Sequence, residues 1–235
     1  MKILAIETTG GPSSAAVLDG SKIIGEFTLN NKVNHSETIM PIVESLMKML
    51  DMALSSMDYI ACSSGPGSFT GLRIGAATAK ALAHGAKRPL VMVPTLDALA
   101  YNVLEKESLI IPIMDARRGQ VYTAIYENNG KIIRKSDYMN IEFTELLSKI
   151  DKGGKAVFLG DGIVNYEDLI KERGYAIAPL NMNMQRAGSV ALAASELIKE
   201  DKFSDYRDFE LMYLRKPQAE REYEEKLIHD RNSTL

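Results

Sequence analysis

Tryptophan is absent from the 235 residues, and cysteine and histidine are nearly so, with one and three copies. A single thiol, Cys62, rules out an internal disulfide; within its apolar run it reads as a small buried hydrophobe rather than a nucleophile. None of His35, His84 and His229 has a His, Cys or Asp partner at helical spacing, which argues against a dedicated metal site built on paired imidazoles. An excess of positive charge is lacking too. The net charge is −3, so there is no broad basic field to hold a nucleic acid by counterion release, and any contact with one is expected only indirectly, through a partner. No apolar run approaches the length of a membrane span. No basic and apolar leader of signal-peptide type opens the chain, and a cytoplasmic protein is expected.

What is present is ordinary for a globular chain: 46% hydrophobic and 25% charged residues, enough to bury one core or two smaller lobes without staples. Residues 2–7, 13–18 and 22–29 read as consecutive strands, with Asp19-Gly20 as a hairpin signal. Residues 35–50 carry Ile39, Val43, Leu46 and Leu50 at helical spacing, with Ser36 as the expected cap. A fourth strand ends near Cys62. A glycine-rich loop and an Ala-rich helix from 72 to 86 follow, then a strand at 90–93 and a helix from Thr95 to about Lys106. This first unit, 1–106, is an α/β layer with a mixed sheet. Residues 107–217 repeat the theme imperfectly, with strands at 108–114, 120–126, 131–138 and 156–159 and helices at 142–150, 166–173 and 185–199. The second unit is expected to be a shortened lobe. Residues 218–235 are dominated by charge and are expected to form a flexible tail.

Three polar segments could carry chemistry. The stretch Gly65-Pro66-Gly67-Ser68-Phe69-Thr70-Gly71-Leu72-Arg73 joins a strand to a helix, an arrangement that aims backbone N–H groups at a phosphate or a partner's carboxylate. It is not a P-loop, lacking Gly-Lys-Ser/Thr, and its third glycine falls one residue late for a dinucleotide fingerprint. The alternative is a rigid turn with Ser68 or Thr70 as N-cap. Glu7-Thr8-Thr9-Gly10, between the first two strands, could turn tightly around a ligand or simply form a hairpin turn. Asp115-Ala116-Arg117-Arg118-Gly119 is either an anion site or a surface ion-pair cluster. Ser68 and Thr70 have no evident general base, so a peptidase is not expected and no residue is assigned as catalytic.

Gly71, Gly75, Ala79 and Ala83 recur every four residues and make a smooth ridge that lets another helix approach closely. With Leu72 beside it, and with Ser36, Met40, Val43 and Met47 on the 35–50 helix, this ridge is expected to form a helix-pair docking surface.

The block from Gly65 to Arg73 resembles, residue for residue, the signature of the bacterial TsaB (YeaZ) family. Ile3 to Thr9, His35-Ser36-Glu37, Asp115 to Tyr122 and Tyr213-Leu214-Arg215 agree with the same family. The resemblance implies a two-lobed actin-like fold, with duplicated ribonuclease-H-like mixed sheets flanked by helices. It also implies a non-catalytic scaffold that pairs with its paralogue TsaD through the two helices and with it recruits TsaE. That assembly transfers a threonylcarbamoyl group to adenosine of tRNA; alone, such a chain is expected to form a homodimer. Glu7, Thr8, Thr9 and Gly10 then stand as a remnant phosphate loop with weak ATP or ADP contact, no cofactor or metal being required. The alternative is an autonomous actin-like ATPase or small-molecule kinase, for which only Gly160-Asp161-Gly162 resembles a second-lobe motif.

Overall fold

The computed structural model describes residues 1–31, 33–103, 105–150 and 154–215; the tail expected at 218–235 lies outside them. The first sheet is built from β1 (Lys2–Glu7), β2 (Ser13–Asp19), β3 (Lys22–Leu29), β4 (Tyr59–Gly65) and β5 (Leu90–Pro94), in the order β3-β2-β1-β4-β5. β1 runs antiparallel to β2 and parallel to β4, and β4 is parallel to β5. The central strands are buried at almost every position, which needs helices on both faces. α1 (His35–Met49) and α2 (Phe69–Ala86) cover one face, through a core that includes Leu4, Ile6, Leu46 and Ile60.

Local chemistry sets the helix ends. Ser36 does not cap α1, because the helix begins at His35 and Ser36 falls in its first turn. Asn34 precedes the helix instead, and its side-chain amide donates to the Glu37 carboxylate at 2.7 Å. α2 begins three residues earlier than its apolar pattern suggests. Its N-cap is Ser68, whose hydroxyl accepts from the Gly71 N–H at 3.2 Å.

α3 (Thr95–Ala100) is buried on nearly every side, as a helix between two cores must be. Ala98 faces the first sheet's second core, while Leu96, Leu99 and Ala100 join the core of the second sheet. It stops well short of Lys106. Beyond Ala100 the chain turns so that the Asn102 amide donates to Met182 and Met184 carbonyls at 2.8 and 3.0 Å.

The second sheet comprises β6 (Leu109–Asp115), β7 (Gln120–Thr123), β8 (Tyr126–Asn128), β9 (Ile132–Arg134), β10 (Met139–Glu142), β11 (Ala156–Leu159) and β12 (Ala176–Ile177). Its main path is β10-β7-β6-β11-β12, with β8 and β9 as a side hairpin. β6 is antiparallel to β7 and parallel to β11, and β11 is parallel to β12. The single strands expected at 120–126 and 131–138 are both interrupted. At Ile125 the N–H leaves the ladder for the Ser136 hydroxyl, 2.9 Å away. α4 (Phe143–Ser148) and α5 (Ile163–Glu172) pack together on this sheet, with Phe143 stacked on Tyr166 at 4.1 Å.

The chain does not stay in the second unit to residue 217. α6 (Ala187–Lys199) returns to the first sheet, where Ala187, Val190, Ala191 and Ala194 pack with Ile3, Ala5 and Val91. The Ser14 hydroxyl accepts from Ala187 N–H at 3.0 Å, and Glu26 accepts from Gly188 N–H at 2.9 Å and pairs with Arg186. Residues 202–215 then run back along α2, with Tyr206 stacked on His84 and Tyr213 against Phe69. The small apolar face of α6, within the 107–217 unit expected from sequence, thus packs on the first sheet.

Candidate functional site

A cleft of about 930 Å³ opens between the two sheets. Its walls are the β1–β2 loop (Thr9, Gly10, Gly11), the β4–α2 loop (Pro66 to Phe69), Asp115 to Arg117 after β6, Asp161 after β11, and Met212 to Arg215. Five segments that are separate in the sequence thus meet at one place. His35 supports the same place from behind. Its Nε2 donates to the Gly10 carbonyl at 3.1 Å, which leaves Nδ1 to accept from the Ser13 hydroxyl at 2.8 Å.

Of the four residues expected as a remnant phosphate loop, Thr9 and Gly10 line the cleft, while Glu7 and Thr8 do not. Glu7 is 1% exposed. One carboxylate oxygen accepts from the Thr9 N–H and, at 2.6 Å, the Thr9 hydroxyl; the other accepts from the Ser63 hydroxyl. Burial raises its pKa, and these hydrogen bonds oppose the rise. The Thr8 hydroxyl donates to the Gly71 carbonyl at 2.7 Å. The polar groups at the end of β1 therefore bind the protein itself.

The glycines of the β4–α2 loop serve the same contact. Ser68 N–H donates to the Thr9 carbonyl at 2.8 Å, and a Cβ on Gly67 would lie 2.7 Å from that oxygen. Side chains at Gly71 or Gly75 would run into Thr8, at its carbonyl and hydroxyl respectively. Gly71, Gly75, Ala79 and Ala83 point inward onto β1 and the α1 core, and Leu72, Val43 and Met47 are buried as well. Of the expected docking residues, Ser36 and Met40 remain exposed. The outward face of α2 is a second line of mostly small side chains, Thr70, Ala77, Ala81 and Gly85, with Arg73 at its edge.

The mouth of the cleft is aromatic and cationic. Phe69 and Tyr213 lie 5.3 Å apart, the Arg73 guanidinium sits 4.0 Å over the Phe69 ring, and its Nε donates to the Tyr213 hydroxyl at 3.4 Å. Arg215 donates to the Ala116 carbonyl at 2.5 Å, and Met212 N–H to the Ser64 carbonyl at 2.7 Å. Residues 212–215 thus cross from the first sheet to the second. Asp115 forms an ion pair with Arg117 at 3.5 Å and accepts its N–H at 2.8 Å. Arg117 and Arg118 both adopt left-handed backbone, with φ of 66° and 56°, unusual for side-chain-bearing residues.

Burial and the nearby Glu7 carboxylate push the Cys62 thiol up to about 12, which makes it inert at neutral pH. Among the described residues no group of three or more His, Cys, Asp or Glu side chains could hold a metal, and no helix is long and apolar enough to cross a membrane. Sequence reasoning missed Ser63 and Met212, whose parts depend on partners far away in the chain. It likewise missed Gln185, whose side chain fills the space beside Gly10.

A mixed sheet in the order 3-2-1-4-5, a second sheet with the same pairing, and a cleft where the loops after the central strands meet define a mixed-sheet α/β protein. Comparisons give the family. The family model described as TsaD, tRNA N6-adenosine threonylcarbamoyltransferase, matches residues 22–223. The tRNA threonylcarbamoyladenosine biosynthesis protein TsaB of Bacillus subtilis is 35% identical over 228 residues, covering 94% of this chain and 96% of that one. A Pseudomonas aeruginosa structure described as similar to peptidase YEAZ superposes with a TM-score of 0.78 at 24% identity, covering 91% and 99% of the two chains. The ROK hexokinase of Thermus thermophilus shares the fold at a TM-score of 0.51 and 13% identity, covering 84% and 100%. The chain belongs to the TsaB family.

Proposed function

We propose that this chain is the non-catalytic partner of a TsaD protein in forming threonylcarbamoyladenosine on tRNA, with the chemistry carried by TsaD. The observation that favours this reading is the state of the β1 loop. The acid and the first hydroxyl that an actin-like ATPase would direct at a metal-bound phosphate are here bonded to Ser63, Thr9 and Gly71. Glu7 does not fit a metal-nucleotide ligand set, and no catalytic step is assigned to it. Weak nucleotide contact falls to Thr9, Gly10 and the backbone at Gly67 and Ser68, which face the cleft.

The same pairing pattern in both sheets, with the side hairpin β8–β9 added in the second, supports a duplicated lobe. Docking on TsaD, and self-association without it, use the outer faces of α1 and α2. Met40, 46% exposed, supplies an adaptable side chain there, and Thr70, Ala77, Ala81 and Gly85 allow close approach. TsaE joins through that pair. The test is sedimentation of the chain alone and with TsaD, with and without ATP. A homodimer that exchanges into a heterodimer is expected. A monomer that ignores TsaD and hydrolyses ATP would support the kinase-like alternative instead.

A further inference from the structure

Away from the cleft, a second cavity of about 570 Å³ lies where the end of α2 meets residues 203–206. Its wall combines His84, Lys87 and Arg88 with Phe203 and Tyr206. Among the described residues, Lys87 and Arg88 form no ion pair, and the wall's one carboxylate, Asp205, is held by Arg207 at 2.7 Å. Cations near a helix C-terminus complement its dipole, but that does not explain the rest of the arrangement. The Arg88 Nε–H is buried with no hydrogen-bond partner, although another guanidinium nitrogen donates to the Ser55 carbonyl at 2.8 Å. A buried charged donor left unmet is costly and calls for an acceptor. Beside it Phe203, braced edge-on by Tyr59 at 5.3 Å, remains 41% exposed.

We infer that this cavity binds a nucleotide unit, with its phosphate on Lys87 and Arg88 and its base on Phe203. Phosphate-seeking cations beside an open aromatic ring are the means by which proteins hold unpaired RNA. A nucleotide within an RNA strand and a free nucleotide present the same chemistry. Choosing RNA rests on the tRNA reading above, whereas the site itself does not.

The test titrates AMP, a single-stranded RNA oligomer and unmodified tRNA into the chain, alone and paired with TsaD, following fluorescence anisotropy across salt concentrations. Lys87→Ala is expected to reduce the slope of log K against log salt by about 0.7 for a single strand. Phe203→Leu is expected to weaken binding about 5- to 150-fold. Both side chains are at the surface, and unchanged melting of the variants confirms the fold. If AMP binds alone with the same sensitivity to both substitutions, the site stands and its ligand is a free nucleotide. No binding of any probe, or affinities and slopes that neither substitution moves, overturns the site. Sedimentation with TsaD runs in parallel, so a failed partnership is told apart from a failed site.

Discussion

Thr8 meets α2 at two residues: the Gly71 carbonyl accepts a hydrogen bond from its hydroxyl, and both Gly71 and Gly75 leave room for it. Adding one methyl at Gly75 should therefore overpack this contact. Gly75→Ala is expected to destabilise the fold by about 1–3 kcal/mol, lowering Tm by several degrees for a chain of this size. Because the clash is with the Thr8 hydroxyl, Thr8→Ala should absorb part of the cost. A double-mutant cycle in urea checks this, with a coupling of at least about 0.5 kcal/mol expected. Glu7 makes a pH prediction. Its pKa is raised in the folded chain, so between the ordinary carboxylate value and the folded one the native state holds more protons than the unfolded state. Stability contributed there falls as pH rises and levels off above the folded pKa. Glu7→Gln should remove that fall, so the variant gains on the parent protein as pH rises from the ordinary carboxylate range in parallel urea titrations. A constant difference across that rise would contradict the assignment.

At the scale of elements, the regular pieces were legible because their periods are strong. β1 to β3, α1, α2 and β5 fall within a few residues of the expected places, since alternation and 3.6-residue spacing report burial directly. What could not be read was direction. A ridge of Gly and Ala every four residues is equally suited to a partner helix and to the chain's own β1 loop, and only the position of Thr8 decides. The same holds for α3, whose apolar pattern runs on past Ala100 while Asn102 is drawn to carbonyls some eighty residues away. In the cleft, the glycine loop and the Asp115 to Arg117 segment were visible as motifs, but their meeting was not. The inward direction of the ridge makes a paired prediction. Ala81→Arg, on the outer face of α2, should leave Tm nearly unchanged and abolish association with TsaD in sedimentation. Gly75→Arg should unfold the chain before any interface is tested.

For the whole molecule, the joint between the two sheets is a packed helix rather than a free linker. Asp97, on α3, accepts hydrogen bonds from Tyr126 at 2.6 Å and from Tyr138 at 2.9 Å, both on the side of the second sheet. Burial raises the Asp97 pKa, and the two phenols counter it. Removing the carboxylate leaves the Tyr126 hydroxyl buried and unmatched. Asp97→Ala is accordingly expected to cost about 1–3 kcal/mol. Amide exchange should quicken in β8 and around Tyr138 first, with α1 and α2 little affected; uniform acceleration across the chain would argue against a local joint.

The path of the backbone carries a last consequence. Because α6 and residues 202–215 return to the first sheet, the second sheet interrupts the first sheet's packing in chain order. A protease cut at the exposed Asn129-Gly130 turn would leave each fragment holding part of the first sheet's packing. The nicked halves should stay together as a complex until denaturant separates them.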